Sequence, residues 1–81
     1  MHYFVYVLQS SADGRLYIGV TQDVASQLAS HNTGQVELTK HRRPFQLVRS
    51  KPFPCFREAH EAELLLKRLK DPRRIRRWML T

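Results

Sequence analysis

The chain has 81 residues, 42% of them hydrophobic, and carries 14 Lys+Arg against 7 Asp+Glu, a formal net charge of +7. This length and composition exclude a disordered chain and predict a single small domain over residues 1–81, with Trp78, three tyrosines and four phenylalanines available for one core. A lone cysteine, Cys55, excludes an intramolecular disulfide and a cysteine-based zinc cluster, and no apolar run reaches the roughly 18 residues of a membrane span.

The excess of positive charge favours an anionic partner, nucleic acid before an acidic membrane surface. The first residues carry a strand pattern and no basic leader, which sets a cytoplasmic location as the expectation.

Residues 2–9 alternate His2, Phe4, Tyr6 and Leu8 against Tyr3, Val5, Val7 and Gln9. Both sets are largely apolar, so the strand is expected to be central or covered on both faces. A loop with Asp13-Gly14 leads to a second strand, Leu16–Val20, and the two make a hairpin. Tyr17 and Gly19 share a face under period-2 alternation, and the bare methylene of Gly19 leaves room for a ligand or another backbone.

Thr21 is placed to cap a helix whose first turn holds Asp23. Val24, Leu28 and His31 fall on one side of it, and Asn32 and Gly34 end it. Gln35–Arg43 has no clean period and closes in the basic cluster Lys40-His41-Arg42-Arg43 before Pro44. Phe45–Arg49 reads as a third strand, and Lys51-Pro52-Phe53-Pro54 as a stiff connection.

From about Arg57 the pattern is helical, with Ala59, Ala62, Leu66 and Leu69 in one stripe that Leu65 widens. Asp71-Pro72 stops that helix and starts another, which puts Ile75, Trp78 and Met79 on one face with Arg73, Arg74, Arg76 and Arg77 around it. The expected fold is α/β (α+β): a three-stranded, mainly antiparallel sheet flanked by helices in the order β-β-α-β-α-α.

These residues resemble the GIY-YIG nuclease domain family, and most of all its small stand-alone bacterial members. The first motif stands as Val5-Tyr6-Val7 and the second as Tyr17-Ile18-Gly19. The match runs on through Thr21, Asp23-Val24, Leu28, His31-Asn32 and Gly34 to Glu58-Ala59, Glu63, Leu66 and Lys67.

The resemblance implies a DNA endonuclease in which one divalent metal, Mg²⁺ or Mn²⁺, and a tyrosine hydrolyse a phosphodiester. It assigns catalytic roles to Tyr6, Tyr17 and His31 and the metal-binding carboxylate to Glu63, with Gly19 structural at the site. The family also places an arginine immediately before the apolar residue that here is Leu28. This chain has Gln27 there.

A hard cation held by one carboxylate and waters neutralises a phosphate, which suits Glu63; the plain alternative is an i,i+4 ion pair from Glu63 to Lys67. Tyrosine needs a nearby cation to act as a base at neutral pH, and in the plain alternative Tyr6 is a core aromatic. His31 either bridges a water or phosphate or polarises the end of its helix. Gln27 keeps hydrogen-bond donors and loses the charge; Arg15, Arg42 and Arg43 are candidate substitutes.

Lys40, Arg42, Arg43, Lys67, Arg73, Arg74, Arg76 and Arg77 are expected to contact DNA phosphates without reading sequence, on a duplex or a branched or structured substrate. Stand-alone nucleases of this size often need a protein partner for targeting, and the sequence shows no partner-binding segment. Two alternatives stand beside the nuclease: a catalytically degenerate nucleic-acid-binding module, and a protein-interaction adaptor built on Trp78 and the last helix.

Overall fold

The computed structural model describes residues 2–80 and has the expected order. The elements are β1 (Tyr3–Ser10), β2 (Leu16–Thr21), α1 (Val24–Asn32), a 3-10 turn at Lys40–Arg42, β3 (Phe45–Phe53), α2 (Phe56–Leu69) and α3 (Pro72–Leu80). The sheet order is β2-β1-β3 with both pairings antiparallel. The doubly apolar β1 is therefore the central strand, and Val5, Tyr6, Val7 and Leu8 are all buried.

Alternation along β1 divides the core in two. Val5 and Val7, with Ile18 from β2, pack against Ala59, Ala62 and Leu66 of α2 and Ile75 and Met79 of α3. Tyr6 and Leu8, with Phe45 from β3, pack on the opposite face with Tyr17 and with Val24 and Leu28 of α1. The sheet is thus sandwiched, with α1 on one side and the α2–α3 pair on the other.

Local chemistry sets the boundaries. The β1–β2 loop turns on Gly14 at φ +74°, a left-handed conformation that favours glycine even though a Cβ there would meet nothing within 4 Å. Asp13 Oδ1 accepts the Arg15 amide at 2.9 Å, and the Ser10 hydroxyl accepts the amides of Ala12 and Asp13, each at 3.1 Å. Backbone donation and the Arg42 guanidinium hold the Asp13 carboxyl below the usual range.

Three expectations need correction. Asp23, not Thr21, caps α1: its carboxylate accepts the Ser26 amide at 3.0 Å, while Thr21 ends β2 and its hydroxyl accepts the Asp23 amide at 3.0 Å. The third strand runs on through Lys51, Pro52 and Phe53 instead of stopping at Arg49. It is an edge strand, where a proline without an N–H costs no ladder bond on its outer side. Leu65 does not widen the α2 stripe; it is 44% exposed.

Asp71 caps α3 as expected, accepting the Arg73 amide at 2.9 Å with Pro72 at the first helical position. Trp78 is half-buried, stacked on Phe53 with ring centroids 6.5 Å apart, and the Lys51 ammonium lies 4.4 Å from its ring centroid. Among the described residues no helix is long and apolar enough to cross a membrane.

Candidate functional site

On the α1 face the two motif tyrosines meet one histidine. Antiparallel register sets Tyr6 opposite Gly19 and Leu8 opposite Tyr17, so all four share a face. A Cβ at Gly19 would lie 2.6 Å from both Cζ and Oη of Tyr6, closer than real contacts allow. The space that the sequence assigned to a ligand or a backbone is filled by the Tyr6 ring. Glycine there is a seat for the phenol.

His31, in the last turn of α1, is only 1% exposed. Its Nδ1 lies 2.8 Å from the Thr39 hydroxyl and its Nε2 3.4 Å from the Tyr6 hydroxyl. Thr39 Oγ1 also donates to the Val36 carbonyl at 3.4 Å. One tautomer satisfies all three contacts, assigned from the network: Nδ1–H donates to Thr39, and unprotonated Nε2 accepts from Tyr6. Tyr17 packs on the imidazole with centroids 4.6 Å apart, and Phe45 covers it at 5.6 Å.

Burial depresses the affinity of His31 for a second proton. The Tyr6 phenol is pushed well above its ordinary value, first by burial and then by the negative charges of Tyr17 and Glu63 when ionised. At neutral pH the pair rests as phenol and neutral imidazole. His31 is shut off from solvent in the last turn of α1, with its ring nitrogens turned to Tyr6 and Thr39.

Glu63 reaches this site electrostatically from α2. Its side chain is 14% exposed, with Oε1 3.1 Å from His60 Nδ1 and Oε2 3.1 Å from Lys67 Nζ. The i,i+4 ion pair is present, so the carboxylate already faces a cation on a long, half-exposed stem. A hard divalent ion bound through one carboxylate and waters fits such a donor. Among the described residues no group of three or more His, Cys, Asp or Glu is placed to hold a metal, so an all-protein cage does not fit. Gln27 lies half-buried on α1, one turn before His31.

The expected phosphate contacts fall into two groups. Arg42 is fixed: its guanidinium pairs with Asp13 at 3.1 Å, reaches the Leu16 carbonyl at 3.5 Å and lies over Phe45. Arg76 donates to Gln9 Oε1 at 2.7 Å, Arg43 to the Lys40 carbonyl at 2.7 Å, and Lys40 pairs with Glu37. Arg73, Arg74 and Arg77 are exposed on α3.

Beside Tyr17, along the outer edge of β2, runs an open groove of about 560 Å³ whose walls carry Arg15, Arg42, Lys67 and Lys70. Lys70 escaped the sequence reading. Its left-handed backbone, φ 60°, turns the chain between α2 and α3, a position no local charge pattern marks. Thr39 and Asn32 tie the site together: Thr39 holds the His31 ring. The Asn32 side chain accepts the Phe45 amide at 2.6 Å and donates to the Phe45 carbonyl at 3.1 Å, tying α1 to the start of β3.

A fold of this order, with two strand tyrosines on one histidine and a helix carboxylate nearby, defines the class. The model described as the GIY-YIG catalytic domain matches residues 2–76. The chain is 42% identical to a UPF0213 protein of Streptococcus pneumoniae over 72 residues, covering 88% of this chain and 72% of that one. It is 34% identical to a UPF0213 protein of Cupriavidus pinatubonensis, over 90% and 81% of the two chains. The solution NMR structure of a UPF0213 protein from Bacillus halodurans superimposes with a TM-score of 0.60 at 33% identity, covering 100% of this chain and 86% of that one. The chain belongs to the GIY-YIG family, a nuclease superfamily, and its relatives are small UPF0213 proteins of the same type.

Proposed function

We propose that the protein is a metal-dependent DNA endonuclease whose phosphodiester hydrolysis is weakened by Gln27, where the family pattern has an arginine. The observation that carries this reading is the hydrogen-bonded series Tyr6–His31–Thr39, closed on one side by Tyr17 and seated on Gly19. A tyrosine kept only as a core aromatic needs neither a glycine cut to its ring nor a buried histidine turned to accept its proton.

In this reading the Tyr6 oxygen draws a proton from the attacking water while His31 Nε2 takes the phenol proton, and Thr39 holds the imidazole in the required tautomer. Burial opposes that transfer by raising the phenol and lowering the imidazole. Positive charge near Tyr6 reverses part of the penalty, because Glu63 contributes to the upward displacement of the phenol. Glu63, with Lys67 displaced, would hold one divalent ion, Mg²⁺ or Mn²⁺, and such an ion supplies positive charge beside the phosphate. Arg74 and Arg77, with Arg73 paired to Asp71 at 3.7 Å, are the exposed cations on α3 for phosphate contacts outside the site.

The alternative, a degenerate nucleic-acid-binding module, is favoured by one observation: the raised phenol keeps Tyr6 protonated at neutral pH, with Gln27 lacking the charge of the family's arginine. Single-turnover cleavage of plasmid and branched DNA with Mg²⁺ and with Mn²⁺ separates the two. Gln27→Arg is expected to raise the rate at least tenfold, about 1.4 kcal/mol of transition-state stabilisation, and Glu63→Gln to abolish it. If wild type and Gln27→Arg both bind DNA and neither cuts it, the module reading stands.

A further inference from the structure

We infer that Arg42 is the side chain that clamps the phosphodiester in this site, making the cationic contact that the family pattern takes from α1 and that Gln27 cannot make. The inference rests on the nuclease reading for that phosphodiester being the one cut, and on the placement of Arg42 for the contact itself.

The sequence leaves Arg15, Arg42 and Arg43 as candidates for this charge, and the fold separates them. The Arg43 guanidinium is turned back on its own loop. Its Nε donates to the Lys40 carbonyl at 2.7 Å, and a Cβ at Gly34 would lie 2.8 Å from its Nη1. Arg15 and Arg42 both line the groove beside Tyr17, but Arg15 stands exposed in the β1–β2 loop. Arg42 is held from several sides.

The same groove takes in Lys67, whose ammonium lies 3.1 Å from Glu63 Oε2. Arg42 also lies over the Phe45 ring, 5.6 Å from its centroid, and that ring packs on His31 with centroids 5.6 Å apart. The Arg42 amide donates at 2.9 Å to the carbonyl of Thr39, the residue that orients His31. An anion drawn to Arg42 is therefore beside Tyr17 and one side chain away from both His31 and Glu63.

A phosphate clamp needs a permanent charge and donors that are already aimed. Arg42 Nε donates to Asp13 Oδ2 at 3.1 Å and Nη2 reaches the Leu16 carbonyl at 3.5 Å. Those bonds use two of the five guanidinium N–H donors, and neither involves Nη1. The Arg42 side chain is 25% exposed, so an anion can reach it. The Asp13 carboxylate orients the fork and also offsets part of its charge, which fits a clamp weaker than an unpaired arginine. The plain alternative is a brace, in which the Asp13–Arg42 pair only pins the β1–β2 loop. The two readings predict opposite signs when Asp13 loses its charge.

The test begins with binding to a short duplex in EDTA, followed by fluorescence anisotropy across a salt series. Arg42→Gln is expected to weaken binding about tenfold at low salt and to reduce the salt slope by about one. Asp13→Asn is expected to tighten binding, about twofold to fivefold, because a carboxylate that competes with the phosphate is gone. In wild type, the ¹H–¹⁵N signal of Arg42 Nε should move when the duplex is added. If Arg42→Gln does not fold, that signal and Asp13→Asn decide. Weaker binding in both variants, or an unmoved Arg42 signal, overturns the inference.

Single-turnover cleavage with Mn²⁺ at saturating DNA then places the contact at the cut. Arg42→Gln is expected to lower the rate at least about a hundredfold, and Gln27→Arg in the same chain to recover part of it, since both charges serve one phosphate. A protein that binds as expected and never cuts keeps the Arg42 contact and loses the nuclease reading. One that cuts equally fast with Arg42→Gln keeps the nuclease reading and loses this inference.

Discussion

The two faces of the sheet use one strand for opposite purposes. On the α2–α3 side, Val5, Val7, Ile18, Leu66, Ile75 and Met79 form an apolar cluster with Ala59 and Ala62, against which Phe53, Leu69 and Trp78 pack, so what matters there is area removed from water. On the α1 side, the same strand presents Tyr6 and Leu8 to a layer that includes the buried polar residues His31 and Thr39. Every buried polar side-chain atom among the described residues has a partner. An aliphatic face resists change of volume; a face of oriented hydrogen bonds resists change of direction as well. Placing both on one central strand separates stability from chemistry by a single residue step.

The largest expected break in that comparison is on the aliphatic side. Leu66 is fully buried, and Leu66→Ala should cost about 2–5 kcal/mol, read as a shift of the urea midpoint. The histidine site should keep its geometry wherever the variant remains folded, with the imidazole NMR signals of His31 unmoved. Displaced signals at low denaturant would show that the two faces are one unit.

A smaller stability change with a larger functional one is expected across the strand. Gly19→Ala drives a methyl against the Tyr6 ring and should cost about 1–3 kcal/mol, the usual range for overpacking. Its cleavage rate should fall further than that of Leu66→Ala at a temperature where both are folded. Full activity and stability in Gly19→Ala would mean that the phenol does not need its seat.

The mildest effect is a pH dependence confined to the α1 face. An unfolded histidine titrates near 6.5, and burial lowers His31 below that. Between the two values the unfolded chain binds more protons, so stability rises with pH there. It is whole above about pH 6.5 and is lost as pH falls toward the folded value, by at most about 1.4 kcal/mol per pH unit. Thermal midpoints from pH 7.5 down to 5 should show the decline, and His31→Phe should flatten it. A variant with the same slope as wild type would assign the dependence to another group.

Much of the architecture was legible because it is written in short-range patterns. The double apolar alternation of Tyr3–Ser10 marks a strand covered on both sides, and the Ala59/Ala62/Leu66 stripe marks the face α2 buries. Asp71-Pro72 marks a helix start whatever the rest of the chain does. Where short-range cues misled, a distant partner decided. Lys51-Pro52-Phe53 reads as a break, yet Tyr3 and Phe4 pair with Phe53 and Pro52, and Trp78 stacks on Phe53 from α3.

The site divides along the same line. The resemblance to the GIY-YIG family singled out Tyr6, Tyr17, His31 and Glu63 from their places in its motifs. That Gly19 receives a phenol and that Thr39 orients the imidazole follow only from the folded chain. So do the Arg42–Asp13 pair and the lining of one groove by Lys70 together with Lys67 and Arg15. The physical reason is range. Periodicity and capping depend on residues within about one turn or a strand pair, whereas these contacts join residues 8 to 55 positions apart in the chain. They form only when the sheet brings those segments together.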